Sequence, residues 1–301
     1  MKTLFLLLSV VLLASSCGNP SETPTPKPPT SKYQKYAKEN EIKIMSFNVR
    51  TKTSNDTGIN HWDERKEACV AVVKDHKPTI IGYQEAQYSS QWVYLKNQLA
   101  ADYESYGVNR SDGKESGSGE VVGIMWDPKI VKKIEVGTFW LSETPDKPSK
   151  GWDANYYRTA TWGLFKHIAT GQIFFMVNTH LDHESVTAQV EGMKLIANKF
   201  QDYQKEVDAL FLTGDLNVEA THEAIDAIKG FMRNARTYAN RSDNFGTTNS
   251  FESETKKSKI DHIYYNKELK NPVEYYTIRD TYNGVKFVSD HYPIYAIIKL
   301  K

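Results

Sequence analysis

Several apolar, strand-like segments of this chain carry an ionisable or hydrogen-bonding side chain at one end. Asn48 closes "IKIMSFNV", Glu85 ends "TIIGYQEA", Asn178 and His180 end "QIFFMVNTH", Asp215 and Asn217 end "ALFLTGDLN", and Asp290-His291 stands ahead of "YPIYAIIKL". Singly, each has a structural explanation: Asn48 suits a turn, His180 a satisfied core histidine, "GDLN" a loop. Jointly they do not, because a buried carboxylate, amide or imidazole needs a partner or a metal to offset its desolvation. Oxygen donors without a Cys/His tetrad suit a hard divalent cation, Mg²⁺ or Mn²⁺, and disfavour structural zinc. Histidines beside them can donate to phosphoryl oxygens or move a proton. Asp with Asn can deprotonate a water and hold it in place. Such a set is equipped for metal-assisted, in-line hydrolysis of a phosphoester.

The elements that must position these residues are mixed. Segments rich in Val, Ile, Phe and Tyr read as strands: the five above with "EVVGIMWD", "TATWGLFKH" and "KIDHIYYN". The Thr-Gly of "IATGQ" joins two alternating runs into a hairpin. Helical spacing recurs from Ser185 to Tyr203, and "THEAIDAIKGFMRNA" offers a Thr cap and an acidic first turn. In "HWDERKEACVAVVKDHKP", Cys69, Val72, Val73 and His76 share one helical face, which makes Cys69 a buried structural thiol. Bursts of strands with intervening helices indicate an α+β or layered sandwich, two packed sheets covered by helices.

With 301 residues, 40% of them hydrophobic, the chain can bury a sizeable core. Its net charge of +1 supplies no general field for a polyanion, so nucleic acid is neither required nor excluded. Residues 1–17, "MKTLFLLLSVVLLASSC", have the layout of a secretory signal with an apolar run too short to span a bilayer. Cys17 after Ala-Ser-Ser resembles the lipobox of bacterial lipoproteins, whose thiol is lipidated. Residues 18–40 are Pro- and Thr-rich and read as a tether, and residues 41–301 as one domain. These features together describe an exported lipoprotein of the bacterial envelope, on the outer membrane or cell surface.

The ordered set "MSFNVR", "IIGYQEA", "NTHLDH", "LTGDLNVE", "SKIDHIYY" and "VSDHYPI" strongly resembles the endonuclease/exonuclease/phosphatase superfamily, over residues 41 to 300. The resemblance implies a four-layer α/β/β/α sandwich with two mixed sheets face to face and helices outside. It implies that Glu85 is the principal metal ligand, with Asn48 and Asp290 close to the ion. Asp215 would activate the attacking water and Asn217 would fix it. His291 would contact the scissile phosphate with its tautomer held by Asp261, and His180 would be a second phosphate contact supported by Glu120. Arg158 stands where relatives carry a basic residue and is expected to bind phosphate. Trp62 and Arg65 are expected to support the site through packing.

Other residues are assigned no chemistry. Asp182 and His183 read as loop residues, and His262 as structural. The aromatics of "NYYRTATW" could stack a base or sugar, although strand aromatics more often fill a core. The expected activity is Mg²⁺-dependent phosphoester hydrolysis by a monomer. A nuclease scavenging external DNA or RNA competes with a phosphatase or phosphodiesterase acting on sugar phosphates or lipids. The only basic density near a motif is Lys256-Lys257 with Lys259. A catalytically silent surface binding protein is the remaining alternative, disfavoured because every motif residue is present.

Overall fold

The computed structural model describes residue 34, residues 36–255 and residues 257–300. Cys17 and most of the 18–40 tether lie outside the described residues. Its end does not: the Gln34 backbone N–H donates to Glu274 at 2.8 Å and the Lys38 N–H to Glu41 at 2.9 Å, so the fold engages the chain ahead of residue 41.

Strands and helices follow in the order β1 (Glu41–Asn48), α1 (Trp62–His76), β2 (Ile80–Gln87), α2 (Val93–Leu99), β3 (Glu104–Tyr106), β4 (Glu120–Trp126), β5 (Val131–Trp140), β6 (Thr159–His167), β7 (Ile173–His180), α3 (Val186–Tyr203), β8 (Ala209–Asp215), α4 (Asp226–Lys229), β9 (Met232–Asn234), α5 (Ala235–Tyr238), β10 (Asp261–Asn266), β11 (Glu274–Thr277) and β12 (Ile294–Lys299). Two six-stranded sheets result, ordered β11-β12-β1-β2-β4-β3 and β5-β6-β7-β8-β10-β9. Both are mixed, since β1 runs parallel to β2 and β7 parallel to β8 while their other pairings are antiparallel.

The period-2 alternation of side chains builds the layers. Ile42, Ile44, Ile80, Ile124 and Trp126 of the first sheet meet Phe165, Phe174, Met176, Phe211 and Ile263 of the second in one buried cluster. Met45, Phe47, Ile81 and Tyr83 face the other way and pack against Cys69, Val72 and Val73 of α1 and Leu95 of α2. Phe175, Val177, Leu210 and Leu212 do the same against Met193, Ile196 and Phe200 of α3. The order helix, sheet, sheet, helix is the expected α/β/β/α sandwich.

Differences are local. The "THEAIDAIKGFMRNA" helix breaks after a 3₁₀ turn and the single turn of α4, and its cap is the His222 imidazole, which accepts from the Ala224 N–H at 3.2 Å, not Thr221. Helix α3 is capped as its sequence indicates, Ser185 Oγ accepting from Ala188 N at 3.1 Å. Strands β3, β9 and β11 are too short to carry a periodic signal. β5 is an edge strand with Lys132, Lys133 and Glu135 exposed, so its pattern reads as polar.

Candidate active site

The face between the sheets changes character along the strands. Beyond the apolar layer lies a layer of amides and hydroxyls: Gln84 Nε2 donates to Ser46 Oγ at 3.1 Å and across the sheets to Asn178 Oδ1 at 2.7 Å. Thr213 Oγ1 donates to the same Asn178 oxygen at 3.0 Å, and Asn178 Nδ2 donates to the carbonyls of Tyr83 and Gly123 at 2.8 and 2.9 Å. Asn178 is therefore a tie between sheets. Two residues further along the same inner faces come Asn48, His180 and Asp215, with Asp261 paired opposite Asp215 across β8 and β10. Strand alternation alone gathers these four.

Glu85 reaches them by a different device. The β2–β4 register runs Tyr83 to Gly123 and then Ala86 to Val121, so Gln84 and Glu85 together oppose Val122 in a β-bulge. Glu85 adopts φ 62, a left-handed conformation uncommon for a side-chain-bearing residue within a strand. Its carboxylate accepts from Asn48 Nδ2 at 2.8 Å and from the Thr51 N–H at 3.0 Å. Asn48 Nδ2 also donates to Asp215 Oδ2 at 3.0 Å, while its Oδ1 accepts the Arg50 N–H at 2.9 Å. Asn48 thus braces two carboxylates with its amide nitrogen, while its oxygen accepts one backbone N–H and keeps a second lone pair.

Ligand atoms of Glu85, His180 and Asp215 lie within 4.8 Å of one another, as do those of Asp215, Asp261 and His291. Asp290 approaches Arg50 Nη1 at 3.6 Å on the wall of the same cleft. The crowding shows in the protonation equilibria. Burial, with Asp261 and Glu85 nearby, pushes Asp215 up to about 7 despite His291. Burial and Glu85 likewise raise Asp290. Glu85 itself is held below its usual range, against burial, by His291, Asn48 and the Thr51 N–H. So many oxygen donors without enough positive charge are the donor set of a hard divalent cation, and these residues fit one.

The histidines are in opposite states. His291 Nδ1 meets Asp261 Oδ2 at 2.8 Å, and although burial opposes its charge, Asp261 and Asp215 hold it well above the ordinary histidine range. The carboxylate on Nδ1 turns Nε2 outward as a proton donor. His180 is held neutral by burial and by the Arg158 and Arg110 charges; its Nε2 lies 3.6 Å from Asp215 and its Nδ1 has no partner among the described residues. Asn217, at φ 53, donates its N–H to Asp215 Oδ1 at 2.9 Å and its Nδ2 to the Leu181 carbonyl at 3.0 Å, and its amide oxygen, with no hydrogen bond among the described residues, can orient a water. His180, Asp215, Asn217 and His291 line one cleft of about 430 Å³, with Asp261 behind His291.

Residues 45–291 match the Endonuclease/Exonuclease/phosphatase family. The chain belongs to this family. An endonuclease/exonuclease/phosphatase family protein of Bacteroides thetaiotaomicron is similar at 33% identity and TM-score 0.80, covering 87% of this chain and 98% of its own. A mannosyl-6-phosphatase of the same organism is similar at 33% identity and TM-score 0.78, covering 85% of this chain and 99% of its own. An uncharacterized protein of Acanthamoeba polyphaga mimivirus is 26% identical over 287 residues, 86% of this chain and 100% of that protein. As a member of the endonuclease/exonuclease/phosphatase family, the chain is a phosphoester hydrolase of the metal-dependent type.

Within this family member's cleft, some assignments change. Glu120 does not support His180: its carboxylate meets Arg110 Nη1 at 2.6 Å, and no hydrogen bond joins it to His180 among the described residues. Arg158, buried on the cleft wall, pairs with Asp182 at 3.3 Å and His183 at 2.8 Å and has no partner for Nη1 among the described residues. Asp182 is therefore a buried counterion and His183 a cleft residue, not plain loop positions. Arg50, Arg110 and Tyr156 also line the cleft; Tyr156 is one of the "NYYRTATW" aromatics, whereas the sequence assigned no role to Arg50 or Arg110, because each comes from a connection whose course strand patterns do not determine. Arg65 does what its position suggests: its guanidinium donates to the carbonyls of Val49, Arg50, Asn60 and Val288, locking the loops on either side of the carboxylates. His262 is structural, bonded to the Val218 carbonyl and Asn234. Lys259 belongs to a separate polar cavity with Asn234 and Arg236 and adds nothing to this cleft.

Proposed function

We propose that the protein is a Mg²⁺-dependent phosphatase of small phosphate esters, sugar phosphates in particular, exported and held at the bacterial envelope through a lipid on Cys17. The observation that carries the substrate reading is the convergence of Arg50, Arg110 and Arg158 with the carboxylate cluster in one compact cleft of about 430 Å³. That volume suits a small ligand, and planar guanidiniums suit bidentate contact with phosphate oxygens. A polymer would be favoured by an extended basic groove, and Lys259 lines a different cavity from this cleft. The similarity to a mannosyl-6-phosphatase at 33% identity supports the same substrate class.

Glu85 and Asp290, with Asp215 beside them, would hold the cation, and bound Mg²⁺ would polarise the phosphoryl oxygens and offset the charge that builds on them. Asp215 accepts the proton of the attacking water, which Asn217 Oδ1 orients. His291, charged and fixed by Asp261, donates from Nε2 to the phosphoryl group. Neutral His180 and Arg158 line the same cleft and are further contacts for that group. Asn48 keeps Glu85 and Asp215 apart at fixed spacing.

Phosphate release from hexose 6-phosphate, compared with cleavage of DNA and RNA under the same Mg²⁺ concentration, tests the reading. Release from the hexose ester with little strand cleavage is expected; efficient strand cleavage without phosphate release would replace it with the nuclease reading. For the anchor, Cys17→Ser should move the protein from the membrane to the soluble fraction, and its retention on membranes would refute lipidation.

A further inference from the structure

We propose that Tyr156, backed by His183 and flanked by Asn155 and Glu184, forms the leaving-group subsite of the cleft, and that it takes a hydroxylated ring such as a pyranose carrying its phosphate on an exocyclic carbon. The proposal rests on the reading of the cleft as a phosphatase of small esters. Tyr156 is 44% exposed, although it lines a cleft whose depths are charged and buried. Its ring is held from several directions: the His183 ring lies 5.4 Å away at an interplanar angle of 32°, and the guanidinium carbons of Arg158 and Arg110 lie 5.6 and 5.8 Å from its centroid. His183 in turn meets Arg158 Nη2 at 2.8 Å and Glu184 Oε1 at 3.2 Å. The Asn155 amide donates to the Glu184 carboxylate.

The loop that presents the ring is fastened to the start of α3. Ser185 Oγ donates to the Trp152 carbonyl at 2.8 Å, and left-handed Trp152 and Asp153, at φ 52 and 66, turn the chain there. An aromatic ring placed in advance of binding loses little freedom when a ligand packs on it. Its face suits the C–H face of a sugar or the plane of a base. The neighbours decide between them: a carboxylate with an amide accepts and donates hydrogen bonds to vicinal hydroxyls. The same carboxylate, 3.2 Å from the cleft residue His183, would repel the next phosphate of a polynucleotide.

The test compares kcat/KM of the full chain for hexose 6-phosphate and for glycerol 3-phosphate, which lacks the ring, in wild type, Tyr156→Ala, Tyr156→Phe and Glu184→Gln. Loss of a stacked ring should lower the hexose-to-glycerol ratio about three- to ten-fold in Tyr156→Ala, through KM and not kcat. Tyr156→Phe should retain the ratio and Glu184→Gln should lower it. If Tyr156→Ala leaves the ratio at its wild-type value, Tyr156 is not the leaving-group subsite and the phosphatase reading survives without it. If wild type hydrolyses neither ester and cleaves polynucleotides, the phosphatase reading falls and takes the subsite with it.

Discussion

The Asp261–His291 pair shows most plainly how a side chain here acquires its chemistry from its neighbours. An isolated imidazole is mostly neutral at pH 7; this one donates from Nδ1 to a carboxylate at 2.8 Å and keeps its proton well above the ordinary range. Asp261→Asn removes the charge that holds the proton and leaves the tautomer to chance. We expect kcat to fall by about 10²- to 10⁴-fold, with the alkaline limb of the pH–rate profile moving to lower pH. The stability sign follows. A folded-state pKa raised above 6.5 stabilises the native protein below that pH, and the gain is lost as pH rises through the folded value. The stability deficit of Asp261→Asn should therefore be largest in acid and shrink toward alkaline pH, as urea midpoints at several pH values would show; a deficit independent of pH would contradict the charged state of His291. Residue types at strand ends made Asp215, His180 and Asp290-His291 legible in the sequence. The burial of Arg158 against Asp182 was not, because a pair 24 positions apart leaves no local mark.

At the scale of elements, the inner face of each central strand is ordered apolar, then amide, then charged, and the two sheets share the middle layer. Gly82 makes that sharing possible: a Cβ there would fall 2.3 Å from both Asn178 Oδ1 and Thr213 Oγ1. Gly82→Ala should push the sheets apart at the amide layer, with a loss of roughly 1–3 kcal/mol measurable by denaturant unfolding, and a fall in activity because Asp215 lies two residues from Thr213. Unchanged stability would mean that the sheets are not in contact there. The strand patterns foretold most of the sandwich, including β6, β7 and the hairpin between them, because alternation is strong where both neighbours are paired. They missed β5, whose exposed Lys132 and Lys133 belong to an edge, and the three- and four-residue strands. They also gave no sign that a bulge would turn Glu85 inward: on unbroken alternation it would share the outer face with Tyr83.

For the whole molecule, two sheets bring together residues from Asn48 to His291, so the site exists only in the folded sandwich. The surplus of carboxylates at its centre also makes the folded protein a receptor for cations. Folding and metal binding should therefore be linked, with the ion stabilising the native state in proportion to its occupancy. The motif order revealed the fold and the metal-type donors from sequence alone, and Arg158 with them, whereas Arg50 and Arg110, and the choice of Tyr156 among its neighbouring aromatics, come from loops and needed the structure. Mg²⁺-dependent phosphate release from hexose 6-phosphate by chelator-stripped protein, with Glu85→Gln alongside, tests the central claim most directly. The account requires no release without the ion, full recovery with Mg²⁺, and a Glu85→Gln protein that stays folded but releases phosphate orders of magnitude more slowly. Release by the stripped protein, or a Glu85→Gln rate equal to wild type, would contradict it.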